Sequence, residues 1–163
     1  MENLNQHLEK TPREVLEDLE KTGLYVFHGS AFKIDKFEPR QAFQSTRQND
    51  GEYKKIPDGE PAVFASPFIN TAIFWAVINK KNCPVKSHSG FSADSRLKSL
   101  EFYATKEIMY QIKDETFGYV YVFYKEKFQE RNYNEVVSYE EVEPDMYIEV
   151  TKKDLPEITI KDF

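Results

Sequence analysis

Three short stretches of the sequence carry side chains that could bind a ligand or take part in catalysis. The first, Phe27-His28-Gly29-Ser30, ends an apolar run and brings together an imidazole, a flexible backbone position and a hydroxyl. A glycine at such a point lets a ligand approach the peptide closely. The same stretch also fits a structural histidine that is hydrogen-bonded in the turn after a strand. The residues alone leave both interpretations open.

The second stretch lies on a predicted helix. Thr71 and Phe74 are three residues apart, so they share a face of that helix. A hydroxyl and an aromatic ring on one face could hold a flat polar heterocycle. The alternative is a helix that packs its aromatic side chains into the core.

The third stretch is Tyr133-Asn134-Glu135, which leads into the apolar residues 136–139. A glutamate that opens an apolar strand is unusual, because charged side chains are rarely buried unless they are paired or functional. The alternative is an edge-strand charge that prevents aggregation.

Taken together and in this order, the three stretches resemble the His–Tyr–Glu ADP-ribosyltransferases, the branch that includes poly(ADP-ribose) polymerases and diphtheria-type toxins. His28-Gly29-Ser30 matches the first family motif, residues 61–65 with 71–74 resemble the second, and residues 133–139 resemble its Tyr-Asn-Glu strand. The resemblance is confined to short motifs. It implies an α+β fold of split antiparallel sheets with a few helices, and a mono-ADP-ribosyltransferase that uses NAD as co-substrate and no metal.

The resemblance also assigns roles to the polar residues. Glu135 would hydrogen-bond the nicotinamide ribose and stabilise its cationic transition state, which is similar in charge to that of a glycosidase. His28 and Ser30 would hold the adenosine ribose, and the backbone of Gly29 would bind the nicotinamide amide. Thr71 stands where the family has a serine that binds the same amide.

The aromatic positions depart from the family pattern. Phe74 stands where the family has a nicotinamide-stacking tyrosine, and it keeps the ring without the hydroxyl. The second stacking position falls on Val63, or on Phe64 if the motif shifts by one residue. The loop at 38–61 would cover the adenine side, where Arg40 or Arg47 could meet the pyrophosphate.

The acceptor would be a macromolecule, either a nucleic acid or a protein. The loop at 125–132 precedes Glu135 and carries Lys125, Lys127, Phe128 and Arg131, which could receive a nucleic-acid strand. A solvated turn is the alternative for this loop. Small size favours a toxin or phage-defence effector, which could have an inhibitor or antitoxin partner.

Three other functions stay open at this point. The altered aromatic positions fit a catalytically silent module that binds NAD or ADP-ribose. An RNA 2′-phosphotransferase-like enzyme shares the fold but relies on additional Arg and His residues. The last alternative is an unrelated α+β domain that matches the motifs by chance.

The elements that must position these residues can be predicted from patterning. Thr11 and Glu14 form a capping box for a helix over 12–22, which Gly23 ends. A second helix is predicted from Ser66-Pro67 to about residues 80–81, and one or two helical turns over 106–112. Residues 31–61 and 82–98 are predicted as loops. Strands are predicted over 24–28, 62–66, 100–104, 118–123, 136–139, 146–150 and 158–160.

Length and composition limit the fold and the functions further. The 163 residues predict a single domain over 1–163, with 1–10 as a flexible lead-in. A net charge of −6 disfavours a protein that coats duplex DNA. The single Cys83 excludes an internal disulfide and a multi-cysteine zinc site. With neither a membrane-spanning apolar run nor a secretory signal, the expected location is the cytoplasm, away from membranes.

Overall fold

The computed structural model describes residues 1–7, 9–85 and 88–162. Within them the helices are α1 (Pro12–Thr22), α2 (Ile69–Val77) and α3 (Lys106–Gln111). The strands are β1 (Glu2–Asn3), β2 (Tyr25–Ser30), β3 (Phe43–Arg47), β4 (Tyr53–Pro57), β5 (Val63–Ala65), β6 (Ser89–Asp94), β7 (Ser99–Ala104), β8 (Phe117–Tyr124), β9 (Gln129–Glu130), β10 (Val136–Ser138), β11 (Met146–Thr151) and β12 (Ile158–Ile160). Short 3-10 turns cover Leu4–His7, Lys125–Lys127 and Lys152–Asp154.

The strands form several small sheets, and most of their pairings are antiparallel. The largest sheet has the order β1-β11-β8-β2, and a second has the order β5-β10-β9. Strands β12-β7-β6 form a third sheet, and β3 with β4 forms a separate hairpin. Helices and strands do not alternate as βα units, so the α+β class expected from the sequence is confirmed.

The first two sheets meet at the end of β2. Phe27 in β2 and Ser66, just after β5, exchange backbone hydrogen bonds of 2.7 and 2.8 Å. This single bridge joins the edge of the four-stranded sheet to the edge of the three-stranded sheet. The residues that follow Phe27 therefore lie at a junction of three elements: β2, β5 and the start of α2.

Helix α2 packs directly on the four-stranded sheet because two glycines leave room for its backbone. A Cβ atom added to Gly29 would collide with the carbonyl oxygen of Ala72, and one added to Gly118 would collide with that of Ala76. Around this close approach lies the main core, where Ile73, Phe74, Val77, Val120, Val122 and Ile148 have at most traces of exposed surface.

Helix α1 confirms the sequence prediction in its capping. The Thr11 hydroxyl accepts from the backbone N–H of Glu14, and the Glu14 carboxylate accepts from that of Thr11. Gly23 ends the helix with a φ of 70°.

Helix α2 is shorter than predicted at both ends. Ser66 is held in the bridge to Phe27, so the first turn starts at Ile69, whose N–H donates to the carboxylate of Glu20 at 2.7 Å. At the other end the side-chain amides of Asn79 and Asn82 donate to the carbonyl oxygens of Trp75, Ala76 and Val77. These contacts satisfy the last turn at Val77, three to four residues before the predicted end.

Two predicted loops and the predicted lead-in contain regular structure. Strands β3 and β4 lie within 31–61, and β6 lies within 82–98. At the start of the chain, Glu2 and Asn3 pair with Met146 and Tyr147 of β11, and the Asn5 side chain bonds the backbone of Glu149. These contacts hold residues 2–5 against β11, where they satisfy backbone groups that would otherwise be unpaired. In the described part of the chain, the helices are too short or too polar to cross a membrane.

Candidate functional site

The junction of β2, β5 and α2 encloses a cavity of about 270 Å³. It is lined by side chains and backbone from β2 and β5, from one face of α2, from β6 and from the turn before β10. The lining residues are Phe27, His28, Gly29, Phe64, Ala65, Ser66, Thr71, Ala72, Trp75, Phe91, Asn134 and Glu135. Residues from all three stretches singled out in the sequence thus meet at one cavity, although the first and the third stretch are more than 100 residues apart in the chain.

Glu135 reaches this cavity from a tight turn. The backbone N–H groups of Arg131 and Asn132 donate to the Glu135 carbonyl at 3.1 and 3.2 Å. The carboxylate is about one-third exposed and accepts hydrogen bonds from Arg131 Nη1 at 3.2 Å and Asn132 Nδ2 at 3.1 Å. It is therefore partnered and also accessible to a ligand. Strand β10 lies between β5 and β9, so the edge-strand interpretation of this glutamate is wrong.

His28 is held in one tautomer by its neighbour on β5. Its Nδ1 lies 2.6 Å from the carbonyl oxygen of Phe64, and its ring makes an edge contact with Phe37 at 4.9 Å between centroids. Burial lowers the pKa of His28, and the hydrogen bond to Phe64 only partly opposes this. A neutral ring must then carry its proton on Nδ1 to donate to the carbonyl, which leaves Nε2 as a hydrogen-bond acceptor.

Arg131 connects three features of the site. Besides its contact with Glu135, its Nη2 atom donates to the carboxylate of Asp58, at the base of the β3–β4 hairpin. Its guanidinium also lies 5.2 Å from the centre of the Phe64 ring, within the range of a cation–π contact. The sequence predicts Arg131 as a cation of the acceptor loop and does not predict its pairing with Glu135.

Asn134 is the buried polar centre of the site. It is 2% exposed, and its Oδ1 accepts from the hydroxyls of Ser66 at 2.9 Å and Thr71 at 2.7 Å. Its Nδ2 is buried and has no hydrogen-bond partner within the described residues. Sequence reasoning assigned no role to Asn134, although a polar residue beside Glu135 and before an apolar strand was the available signal.

Thr71 lines the cavity as predicted, but its hydroxyl hydrogen is already committed to Asn134. The Thr71 hydroxyl oxygen can still accept a hydrogen bond from an N–H group of a ligand.

Phe74 does not line the cavity, and its predicted stacking position is corrected by the structure. The ring has no exposed surface and packs on Phe102 with 5.2 Å between centroids. Trp75, the next residue, lines the cavity, is 38% exposed and contacts Phe91 edge-on. Trp75 follows Thr71 by four residues, a spacing that places two side chains on one helix face as well as three does.

Of the two candidates for the second aromatic wall, Phe64 lines the cavity and Val63 is buried in the smaller core cluster. The backbone of Gly29 lines the cavity. A glycine is needed at this position because a side chain would collide with the backbone of α2.

A second cavity of about 350 Å³ lies on the other side of His28 and Phe64, which line both spaces. Ser30, Phe37 and Arg40 also line it, whereas Arg47 is on the exposed hairpin. The nearby chain is ordered by Tyr121, whose hydroxyl donates to the Phe32 carbonyl and accepts from the Ile34 N–H. Burial raises the pKa of Tyr121 to about 12, so this hydroxyl stays protonated.

In the described ranges, no three His, Cys, Asp or Glu side chains are grouped as potential metal ligands. Cys83 is buried against the main core, where burial raises the pKa of its thiol.

Comparison with models of known protein families, with curated proteins and with solved structures finds no match to this chain. The functional argument therefore depends on the geometry of the two cavities.

Proposed function

We propose that this protein is a mono-ADP-ribosyltransferase with an ADP-ribosyltransferase-like fold, which uses NAD as co-substrate and modifies a macromolecular acceptor. The observation that carries the proposal is the convergence of His28 and Glu135 on one cavity. The cavity also has an aromatic wall, and it shares His28 and Phe64 with the second cavity. Together the two cavities fall within the ~300–1,000 Å³ range of small-molecule sites.

In the proposed reaction, the bond between the ribose and nicotinamide breaks and its electron pair leaves with nicotinamide. The bond to the acceptor oxygen or nitrogen forms at the same ribose carbon, and the acceptor loses a proton. The carboxylate of Glu135 stabilises the positive charge that develops on the ribose. The Nε2 atom of His28 accepts a hydrogen bond from a ribose hydroxyl, a role that the neutral Nδ1–H tautomer permits.

The nicotinamide end is assigned to the first cavity because that cavity contains the carboxylate. Trp75 and Phe64 supply ring surfaces there, and Trp75 takes the role that the sequence suggested for Phe74. The larger cavity, which Ser30 and Arg40 line, is assigned to the adenosine and pyrophosphate end.

One observation favours a second candidate, a module that binds NAD or ADP-ribose without catalysis. Glu135 is paired with Arg131, and a neighbouring guanidinium opposes the build-up of positive charge that catalysis requires. A transferase must therefore displace or reorient Arg131 when NAD binds, whereas a binding module need not.

Nicotinamide release from NAD by the purified protein tests the proposal, alone and with protein and oligonucleotide acceptors. Calorimetric titration with NAD in the same buffer separates the alternatives. Release supports the transferase. Binding without release under any acceptor condition supports the silent module, and the absence of both contradicts the site assignment.

A further inference from the structure

The β3–β4 hairpin projects from the protein with almost no contact to the core. Every residue of β3 is exposed, and in β4 only Ile56 is half-buried. The register pairs Phe43 with Pro57, Ser45 with Lys55, and Arg47 with Tyr53. Residues that pair directly across an antiparallel ladder point to the same side of the sheet.

The register divides the hairpin into two chemically different faces. One face, the outer face, is defined by Phe43, Ser45, Arg47, Tyr53, Lys55 and Pro57. The opposite, inner face is formed by Gln44, Thr46, Lys54 and Ile56. The partial burial of Ile56 shows that the inner face turns toward the protein, at least near the base of the hairpin.

The outer face combines exposed aromatic rings with positive charges and has no acidic residue. Tyr53 is 71% exposed and Phe43 is 59% exposed, although large aromatic side chains are usually covered. Among the described residues, Arg47 and Lys55 have no ion-pair partner. The acidic Asp50 and Glu52 lie beyond the paired strands, in the turn. The outer face is therefore locally positive, although the whole chain has a net charge of −6.

We propose that the outer face of the β3–β4 hairpin binds single-stranded nucleic acid. Arg47 and Lys55 match the charge of a phosphate backbone, and Tyr53 and Phe43 offer ring faces on which unpaired bases stack. Duplex bases have no free face for such stacking, which favours a single strand as the occupant.

The base of the hairpin is tied to the candidate site. Gln41 Nε2 donates to the Gly59 carbonyl at 2.9 Å and closes the base. Asp58, directly after β4, accepts from Arg131, which also contacts Glu135. A strand on the outer face therefore lies on an arm anchored beside Glu135. Its role as the acceptor of ADP-ribose rests on the proposed function, whereas its binding to the hairpin does not.

Fluorescence anisotropy with labelled 15-nucleotide DNA and RNA single strands, and with the matching duplexes, tests the binding without NAD. We expect single strands of one or both types to bind more tightly than duplexes, with affinity that falls as salt rises. Tighter binding of the duplexes would overturn the single-strand assignment, and a lack of binding at 50 mM salt would overturn the proposal and favour a protein acceptor.

Lys54 provides a matched control, because Lys54→Ala removes the same charge from the inner face of the same strand. Lys55→Ala should weaken single-strand binding several-fold and lower the slope of log affinity against log salt by about 0.7, as expected for one lost phosphate contact. Tyr53→Ala should weaken binding about tenfold by removing one stacked base. Equal losses in Lys54→Ala and Lys55→Ala would contradict the assignment to the outer face.

The assay distinguishes failure of this proposal from failure of the proposed function. Oligonucleotide binding without nicotinamide release would leave the hairpin proposal standing and contradict the transferase. Nicotinamide release without oligonucleotide binding would support the transferase and contradict the hairpin proposal. Unchanged thermal unfolding of the exposed-site variants would show that lost binding is not lost folding.

Discussion

Arg131 Nη1 lies 3.2 Å from Oε2 of Glu135, so the carboxylate that faces the cavity is paired with a cation in the free protein. The same arginine holds Asp58 at the base of the hairpin. The side chain of Arg131 is 27% exposed and that of Glu135 is 34% exposed. The pair thus links the candidate chemistry to the arm proposed to hold the acceptor.

The Arg131–Glu135 pair should be weak enough for a ligand to displace. Partly exposed ion pairs contribute about 0.2–1 kcal/mol, and we expect a coupling free energy in that range. A double-mutant cycle with Arg131→Ala and Glu135→Gln, followed by urea unfolding, measures it. A coupling above about 2 kcal/mol would mean that the pair is structural and would argue against displacement by NAD.

The lowered pKa of His28 predicts a pH dependence of stability. In the unfolded chain this imidazole takes up a proton near its ordinary pKa of 6.5, whereas the folded protein resists protonation until a lower pH. The unfolded state then binds more protons, so the free energy of unfolding falls as the pH drops below 6.5.

Urea unfolding of the wild type and His28→Gln between pH 7.5 and 5 checks this effect. The His28→Gln variant should lose less stability over that range than the wild type. His88→Gln, which removes an exposed histidine, serves as the control. Parallel stability curves for the wild type and His28→Gln would contradict the burial effect.

Neighbouring aromatic residues on α2 should have separate effects. Trp75→Ala removes a ring from the cavity wall, and the dissociation constant for NAD should rise about tenfold, as for the loss of one stacking partner. Phe74→Ala instead leaves a cavity in the main core and should lower the free energy of unfolding by about 3–5 kcal/mol. Calorimetry and urea unfolding of both variants provide the comparison. Weaker NAD binding by a folded Phe74→Leu variant, with unchanged binding by Trp75→Ala, would support Phe74 as the residue that stacks on nicotinamide.

Gly29 should not tolerate a side chain, because its Cβ would collide with the backbone of α2. Gly29→Ala should cost about 1–3 kcal/mol or more of stability and should also displace Thr71 and Trp75 from the cavity. In Gly90→Ala the new Cβ meets the movable end of the Tyr103 side chain, so its cost should be smaller. Equal thermal stabilities of the two variants would show that α2 can shift away from β2 without destabilising the protein, which would contradict this prediction.

The prediction that His28 and Glu135 share a site depends on the resemblance of their motifs to a known family, and both residues do line one cavity. The sequence does not predict which helical aromatic lines the cavity. That depends on how α2 is rotated on the sheet, where Ala72 and Ala76 lie against Gly29 and Gly118. Because successive helical residues are about 100° apart, this rotation turns Trp75 to the cavity and Phe74 into the core.

The sequence pattern does not predict the β3–β4 hairpin, for a different physical reason. Every residue of β3 and β4 except Ile56 is exposed, so these strands lack the apolar alternation by which half-buried strands are recognised. Their pairing depends on the turn around Gly51, where φ is 85°, and that turn carries no flanking apolar pattern. The buried pairing of Asn134 with Ser66 and Thr71 likewise depends on tertiary contacts between distant segments.

The rate of nicotinamide release by Glu135→Gln tests the central claim most directly. The glutamine keeps the hydrogen-bonding shape and removes the charge, so the rate should fall by about 10²–10³-fold relative to the wild type. Glu130→Gln, which removes the same charge from an exposed position on the adjacent strand β9, should retain the wild-type rate. Equal rates for the wild type and both variants would contradict the assignment of Glu135 to the reaction.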